Sequence, residues 1–262
     1  MINDYVYATE KIVFRHKVSE NLPCNSYSTH THNAYELIYF VEGDATHVIE
    51  DRKYKLKPGD LIIIRPFQYH FIQIDSMCRY DRYDILFDRE RDGIESVSYI
   101  PDGVEVINLA DNRIAEDIFH RCELYREKYG EETFGKIIPH LLSELFYSIG
   151  LFSYTESITA QSLSSLISKA LEYINDNLCT LTGISEVASH LFVSESYLFR
   201  LFKAELHRTP KKYIMEKRLL LAQMRIQAGE RPTEVAESCG FSDYTTFYRN
   251  YVAHFGCVPS KK

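Results

Sequence analysis

The sequence predicts an α+β protein in two parts, a barrel or sandwich of short strands followed by an all-α half. Three observations predict it. Residues 5–90 are rich in Ile, Tyr and Phe between Pro-Gly punctuation, as in HVIEDRKYKLKPGDLIIIRPFQYHFIQI (His47–Ile74). From about Asn112 the apolar spacing changes to three and four residues. The last hundred residues carry one helical pattern twice.

The strand-rich part comes first. Leu56–Ile64, LKPGDLIII, is a turn feeding a buried strand, and Arg79–Phe87, RYDRYDILF, alternates in part. Short strands at this spacing suit a small barrel or sandwich. Two amphipathic helices follow. Ile114, Ile118, Phe119, Cys122 and Tyr125 mark the first, and Ile137, Leu141, Leu142, Leu145 and Phe146 the second. Pro139 fits a first helical turn of the second. The pair reads equally as a lid on the barrel or a dimerisation surface. Ser153–Ser165, SYTESITAQSLSS, is polar and reads as a linker. The expected organisation is a barrel over 1–107, a dimerisation or lid segment over 108–152, a linker over 153–165 and a helical domain over 166–262.

Composition bounds the function. At 262 residues, 45% hydrophobic and 26% charged, the chain is globular rather than disordered. No apolar run approaches the roughly 18 residues of a membrane span, and MINDYVYATEKIVF lacks the pattern of a signal peptide. A cytoplasmic protein with no membrane partner is expected. Six cysteines show no CxxC spacing, which removes a zinc ribbon or dithiol redox motif. The net charge of −7 is uneven: residues 163–262 hold 13 Lys+Arg against 10 Asp+Glu, and residues 1–162 hold 17 against 27. An acidic half joined to a mildly basic one suits two domains with different partners.

The internal repeat defines the second half. Ile184–Phe202, ISEVASHLFVSESYLFRLF, and Pro232–Tyr251, PTEVAESCGFSDYTTFYRNY, share Glu-Val-Ala, a Ser able to cap a helix (Ser194 and Ser242), and then Leu198-x-Arg200-x-Phe202 or Phe247-x-Arg249-x-Tyr251. The second copy has one extra residue before that signature. A short helix, a tight turn and a second capped helix form the helix-turn-helix pattern, with Ala188 and Ala236 suited to a close crossing. Gly240 suits the turn; Phe192 in its place is strained on the same backbone, so a different first turn is expected. Between the copies, Thr209–Gly229 has a Thr-Pro start and a Gly stop, a rod of roughly 28 Å.

Residues 163–262 resemble the tandem helix-turn-helix domain of the AraC/XylS family of transcription regulators, on SESYLFRLFK and RPTEVAESCGFSDYTTFYRNYVAHFG. The resemblance implies double-stranded DNA as a partner, with RNA polymerase a further one. It implies DNA contacts by Glu195, Ser196, Tyr197, Phe199, Arg200 and Lys203 from the first reading helix, and by Asp243, Tyr244, Thr245, Thr246, Tyr248 and Arg249 from the second. Arginines fork onto guanine, and Lys203 suits phosphate. Glu195 and Asp243 suit the helix starts better than cytosine.

Thr29–Gly43, THTHNAYELIYFVEG, spaces His30, His32 and Glu36 evenly. On a regular strand they share one face with Ala34, Ile38 and Phe40, and His70 supplies a fourth group from another strand. Such a set binds zinc, iron or manganese, contacts a small ligand directly, or packs against the barrel wall. The spacing, with Gly43 and the Pro58–Asp60 PGD, resembles the cupin barrel over roughly residues 8–90, as in many AraC-type sensor domains. The expected protein is a homodimeric transcription regulator answering a small-molecule effector, a sugar or related metabolite. The alternatives are a cupin metalloenzyme with a DNA-localising tail and a ligand-independent DNA-binding protein.

Overall fold

A computed structural model of the chain describes residues 11–21, 23, 30–151 and 161–260. Most of the expected linker, residues 153–160, lies outside them. The chain divides into two compact units, Met1–Gln161 and Ser162–Lys262.

The first unit is built on β1 (Val13–Ser19), β2 (Tyr35–Glu42), β3 (Ala45–Ile49), β4 (Arg52–Lys55), β5 (Asp60–Ile64), β6 (His70–Ile74), β7 (Tyr80–Phe87) and β8 (Val106–Asn108). One antiparallel sheet runs β1-β7-β2-β5-β8, and β6-β3-β4 are neighbours in a second. Strand alternation separates two cores. Ile38 and Phe40 of β2, Ala45 and Ile49 of β3, Ile62 and Ile64 of β5 and Ile72 and Ile74 of β6 meet between the sheets. Leu37, Tyr39, Leu61, Ile63, Tyr83, Ile85 and Phe87 face the other way, onto α1.

That helical segment, α1 (Arg113–Leu151), is broken at Gly130, whose φ of 75° and ψ of 168° are not helical. Two helices are thus present, but the second begins at residue 131. Pro139 therefore lies inside it rather than in its first turn, where the carbonyl of Gly135 loses its normal donor. Ile118, Phe119, Cys122, Leu141, Leu142, Leu145 and Phe146 pack on the outer face of the first sheet. Ile114 does not, and is 46% exposed.

His16 ties β1 to both β7 and α1. Its Nε2 lies 2.9 Å from Asp81 and its Nδ1 3.0 Å from Glu123, with the ring stacked on Tyr83. Only an imidazolium donates on both sides. Burial alone would lower its pKa, but the hydrogen bonds to Glu123 and Asp81 outweigh it and hold the group above 6.5. The resulting stability is complete below the unfolded value of 6.5 and is lost as pH rises through the raised folded value. Thermal melts from pH 6 upward are expected to show this fall in Tm, and His16→Gln to reduce it; an unchanged slope in the variant would remove His16 as its source.

The second unit is all helical: α2 (Ser165–Asp176), α3 (Ile184–His190), α4 (Glu195–Leu206), α5 (Pro210–Gln227), α6 (Pro232–Ser238) and α7 (Tyr244–Phe255). Helices α3 and α4 form one helix-turn-helix, α6 and α7 the other. Ala188 and Ala236 are both buried at the crossings. Thr209 caps α5, accepting from Lys212 N, and Gly229 stops it at a φ of 97°.

The two turns share one backbone. Phe192 N bonds Ser189 O and Val193 N bonds Ala188 O; Gly240 N bonds Glu237 O and Phe241 N bonds Ala236 O. Phe192 has a φ of 56° and Gly240 one of 83°. The expected difference between the turns is thus absent. Phe192 takes the left-handed backbone at its intrinsic cost, with the side chain 95% exposed. At Gly240 an added Cβ would lie 2.4 Å from Cys179 O. The extra residue of the second copy is Ser242, so the cap there is Asp243, which accepts from Thr246 N, and not Ser242. Ser194 caps α4 as expected, accepting from Tyr197 N.

Candidate functional site

At one end of the inter-sheet core the structure brings together His30, His32, Glu36 and His70, whose ligand atoms all lie within 4.8 Å of one another. Strand parity is not what gathers them. Strand β2 begins at Tyr35, so of the four only Glu36 lies on it. His30 is placed by a pair of backbone bonds with His70, each 3.0 Å, and His32 by its carbonyl accepting from Phe67 N at 2.8 Å. Glu36 and His70 face inward on β2 and β6, with Ile38 and Ile72 next on the same faces.

The imidazoles are oriented by the main chain. His32 Nδ1 donates to Ala34 O at 3.0 Å, and His70 Nδ1 to Gln68 O at 3.1 Å. Their Nε2 atoms then face the same carboxylate oxygen, Glu36 Oε2, at 3.0 and 2.9 Å. The His70 nitrogen is not aligned for a hydrogen bond. A lone pair opposed to a carboxylate oxygen is repulsive at that distance. The three groups converge as donors to one point, an arrangement that suits a divalent cation. Burial alone would raise the Glu36 carboxyl, but His32 and His70 outweigh it and hold it well below the usual range.

A divalent ion fits this donor set. Ligands 2.0–2.2 Å from an ion lie at most about 4.4 Å apart, close to the spacing present. Histidines whose second nitrogen donates to a carbonyl have the arrangement that fixes metal ligands.

Three inward groups escaped the sequence reading. His47 of β3 is 1% exposed, its Nδ1 has no hydrogen-bond partner, and its ring lies 6.0 Å from that of His70. Burial and then His70 push its pKa down to about 3, so it is neutral. Asp84 of β7 has an unpartnered Oδ1, and burial and Glu36 push it up to about 7. Arg82, two residues before it, also faces inward and is buried. The alternation of Tyr80, Arg82, Asp84 and Leu86 was the available signal.

In the second unit α4 and α7 bury matching residues, Leu198 and Phe202 in one, Phe247 and Tyr251 in the other. Their outer faces carry the expected DNA contacts. Glu195, Ser196, Tyr197, Phe199, Arg200 and Lys203 are exposed, as are Tyr244, Thr245, Tyr248 and Arg249. Arg200 and Arg249 occupy equivalent positions and form no ion pair among the described residues. Asp243 and Thr246 are engaged with each other, through Thr246 N at 2.7 Å and Thr246 Oγ1 at 2.8 Å. Arg218 of α5 went unnoticed in the sequence. Its guanidinium donates to Leu178 O, Leu181 O and Gly240 O at 2.5–2.8 Å, tying the loop before the first helix-turn-helix to the turn of the second.

Both halves match family models: residues 18–113 the AraC-like ligand binding domain, and residues 187–262 a helix-turn-helix domain. The chain belongs to the AraC family of transcriptional regulators. It is 24% identical over 253 residues to the HTH-type transcriptional activator RhaR of Enterobacter sp. (strain 638), covering 92% of this regulator and 89% of that protein. It is 26% identical over 251 residues to the uncharacterized HTH-type transcriptional regulator YfiF of Bacillus subtilis (strain 168), covering 90% and 79%. Among solved structures, ToxT from Vibrio cholerae O395 aligns at 12% identity over 96% of both chains, with a TM-score of 0.39. The regulator thus joins a ligand-binding barrel to a DNA-binding helical half, and neither alternative reading is favoured. No helix among the described residues is long and apolar enough to cross a membrane.

Proposed function

We propose that the regulator senses a small molecule inside the barrel and changes the DNA engagement of α4 and α7 in response. One observation carries this reading: a buried, incompletely partnered polar cluster lies inside the unit that matches a ligand-binding family. Leaving such groups bare costs several kcal/mol, on the order of 2–7 for each.

On this reading His30, His32, Glu36 and His70 hold a divalent ion of the zinc, iron or manganese class. The ion supplies a fixed positive charge and open positions for oxygen donors of the effector. Arg200 and Arg249 read base edges, Lys203 holds phosphate, and Tyr197, Phe199, Tyr244 and Tyr248 supply apolar contact. The site binds rather than turns over its ligand, so the protein is not an enzyme. The partners are double-stranded DNA, the effector, a second copy of the chain and RNA polymerase, and the setting is the cytoplasm. The exposed Leu124, Tyr129 and Tyr147 of α1 are the surface on which pairing is expected.

The metal is tested by elemental analysis of untagged full-length protein. One equivalent of a divalent transition metal is expected, and its loss in His32→Ala and Glu36→Gln. Stoichiometric metal retained in both variants, or none in the parent after loading and desalting, would leave the cluster a direct hydrogen-bonding site.

A further inference from the structure

We infer that Arg218 is a positioning residue for DNA recognition: it holds the two helix-turn-helix motifs in one arrangement and thereby sets the single half-site spacing that the regulator accepts. This rests on the reading that α4 and α7 both enter the DNA.

The two motifs share α5 and divide it. Arg208, just past α4, donates to both carboxylate oxygens of Glu216 at 2.6 Å, and Tyr213 meets the Phe202 ring edge-on at 6.1 Å. These contacts anchor the first motif on the first half of the helix. Leu219, Ala222 and Ile226 of the second half pack with Val235, Ala236, Phe247 and Tyr251 of the second motif. Apolar contact is non-directional, and it sets how close each motif lies to α5 more than how the two are phased about it.

Arg218 stands at the midpoint of α5 and bonds to both motifs. Its Nε donates to Leu178 O at 2.8 Å and its Nη2 to Leu181 O at 2.5 Å, both in the loop that leads into α3. Its Nη1 donates to Gly240 O at 2.7 Å, in the turn between α6 and α7. The motifs also touch there, since an added Cβ at Gly240 would lie 2.4 Å from Cys179 O. The equivalent residue of the first turn is the exposed Phe192, so glycine stands only where the motifs meet.

Charge separates a positioning role from a merely structural one. Arg225, further along α5, is paired with Glu230 at 2.5 Å. Arg218 is half-buried and forms no ion pair among the described residues. A cation withdrawn from water without a carboxylate costs stability, and a neutral side chain of similar size would pack as well. What the guanidinium adds is direction: its donors lie in one rigid plane and fix three carbonyls relative to one another. The outcome is one rotational phase between α4 and α7. Half-sites one helical turn apart are about 10–10.5 base pairs from centre to centre, so one added pair turns the second by roughly 34°. Motifs locked to each other cannot follow that turn and lose one set of contacts.

The test uses full-length protein and an operator obtained by footprinting. Single base substitutions, titrated with the parent, Arg200→Ala and Arg249→Ala, assign the bases under each helix. Operators with one pair inserted or removed between the two sets are then compared. The parent is expected to lose about tenfold or more on either change, because the second engagement is lost. Arg218→Met keeps the length and the helix preference. It is expected to hold the parent's Tm, to bind the native spacing more weakly, and to bind all three spacings within about threefold of one another. Arg218→Lys keeps the charge without the fork, and is expected to fall between the two. A parent indifferent to spacing overturns the inference. So does a folded Arg218 variant that keeps the parent's spacing preference, and so does loss of folding in both variants, which marks a structural staple. Base substitutions that matter under one helix alone remove the reading of two DNA-entering helices, and the inference falls with it.

Discussion

Gly240→Ala destabilises the helical unit by about 2–5 kcal/mol, and Phe192→Gly, at the equivalent position, stabilises it by up to about 1 kcal/mol. The two residues share one backbone conformation, so their opposite responses come from surroundings. At Gly240 a Cβ meets Cys179 O at 2.4 Å and the Arg218 guanidinium at 2.8 Å, in addition to the left-handed φ. Neither obstacle yields cheaply. One is backbone, and the other is fixed by three carbonyls, among them that of Gly240 itself. At Phe192 the added side chain meets solvent, and replacement by Gly relieves only the left-handed strain, less the greater freedom of Gly in the unfolded chain. Denaturant unfolding of the full chain, followed by far-ultraviolet circular dichroism for its helical transition, measures both. Equal losses in the two variants would mean that the turns are not equivalent.

Arg200→Ala and Arg249→Ala each weaken binding to a cognate operator by about 1–3 kcal/mol, roughly 5- to 150-fold, with Tm unchanged. Each arginine is exposed on the outer face of a helix anchored by buried Leu198 and Phe202 or Phe247 and Tyr251. Neither makes an ion pair among the described residues, so removal costs the fold little. A base-reading arginine also sets preference, so each variant should relax selection at one position of its own half-site. Lys203→Ala should instead weaken all sequences alike and reduce the salt slope by about one. Electrophoretic or fluorescence titrations at two salt concentrations separate the cases. Loss of affinity in Arg200→Ala with an unaltered operator preference would make that residue a phosphate contact.

The helical half was legible because repetition supplied its own control. Ala188 and Ala236, Ser194, Thr209 and Gly229 each carry a local signal, and the structure uses each of them as the spacing suggests. The misreadings there were also local. Ser242 and Asp243 are adjacent cap formers, and only the position of the inserted residue decides between them. Phe192 breaks the conformational preference at the intrinsic cost of the left-handed backbone, and its exposure means that no neighbour adds to that cost. In the barrel, the convergence of His30, His32, Glu36 and His70 has a cause that spacing does not contain. Backbone bonds to His70 and Phe67 lay down the segment before β2, and these are contacts across the chain. His47 and Asp84 carry at most an alternation along their strands, since an inward polar group looks like an outward one until the sheet partners are known. Pro139 misplaced the start of the second helix because a proline favours the first turn, whereas here it lies deep within the span.

On the proposed reading, the barrel cluster controls DNA engagement. An operator obtained by footprinting with the full chain allows a test by one titration series: operator affinity with the barrel site metal-free, metal-loaded, and metal-loaded with each of a panel of sugars and related metabolites. A ligand acts only through its differential affinity for two arrangements, so a real effector must shift this equilibrium. A several-fold change in operator affinity is expected for the parent, the same fold-change from a weaker baseline in Arg200→Ala, and none in His70→Ala. Operator affinity indifferent to all three states of the barrel, in a protein shown to hold its metal, would contradict it.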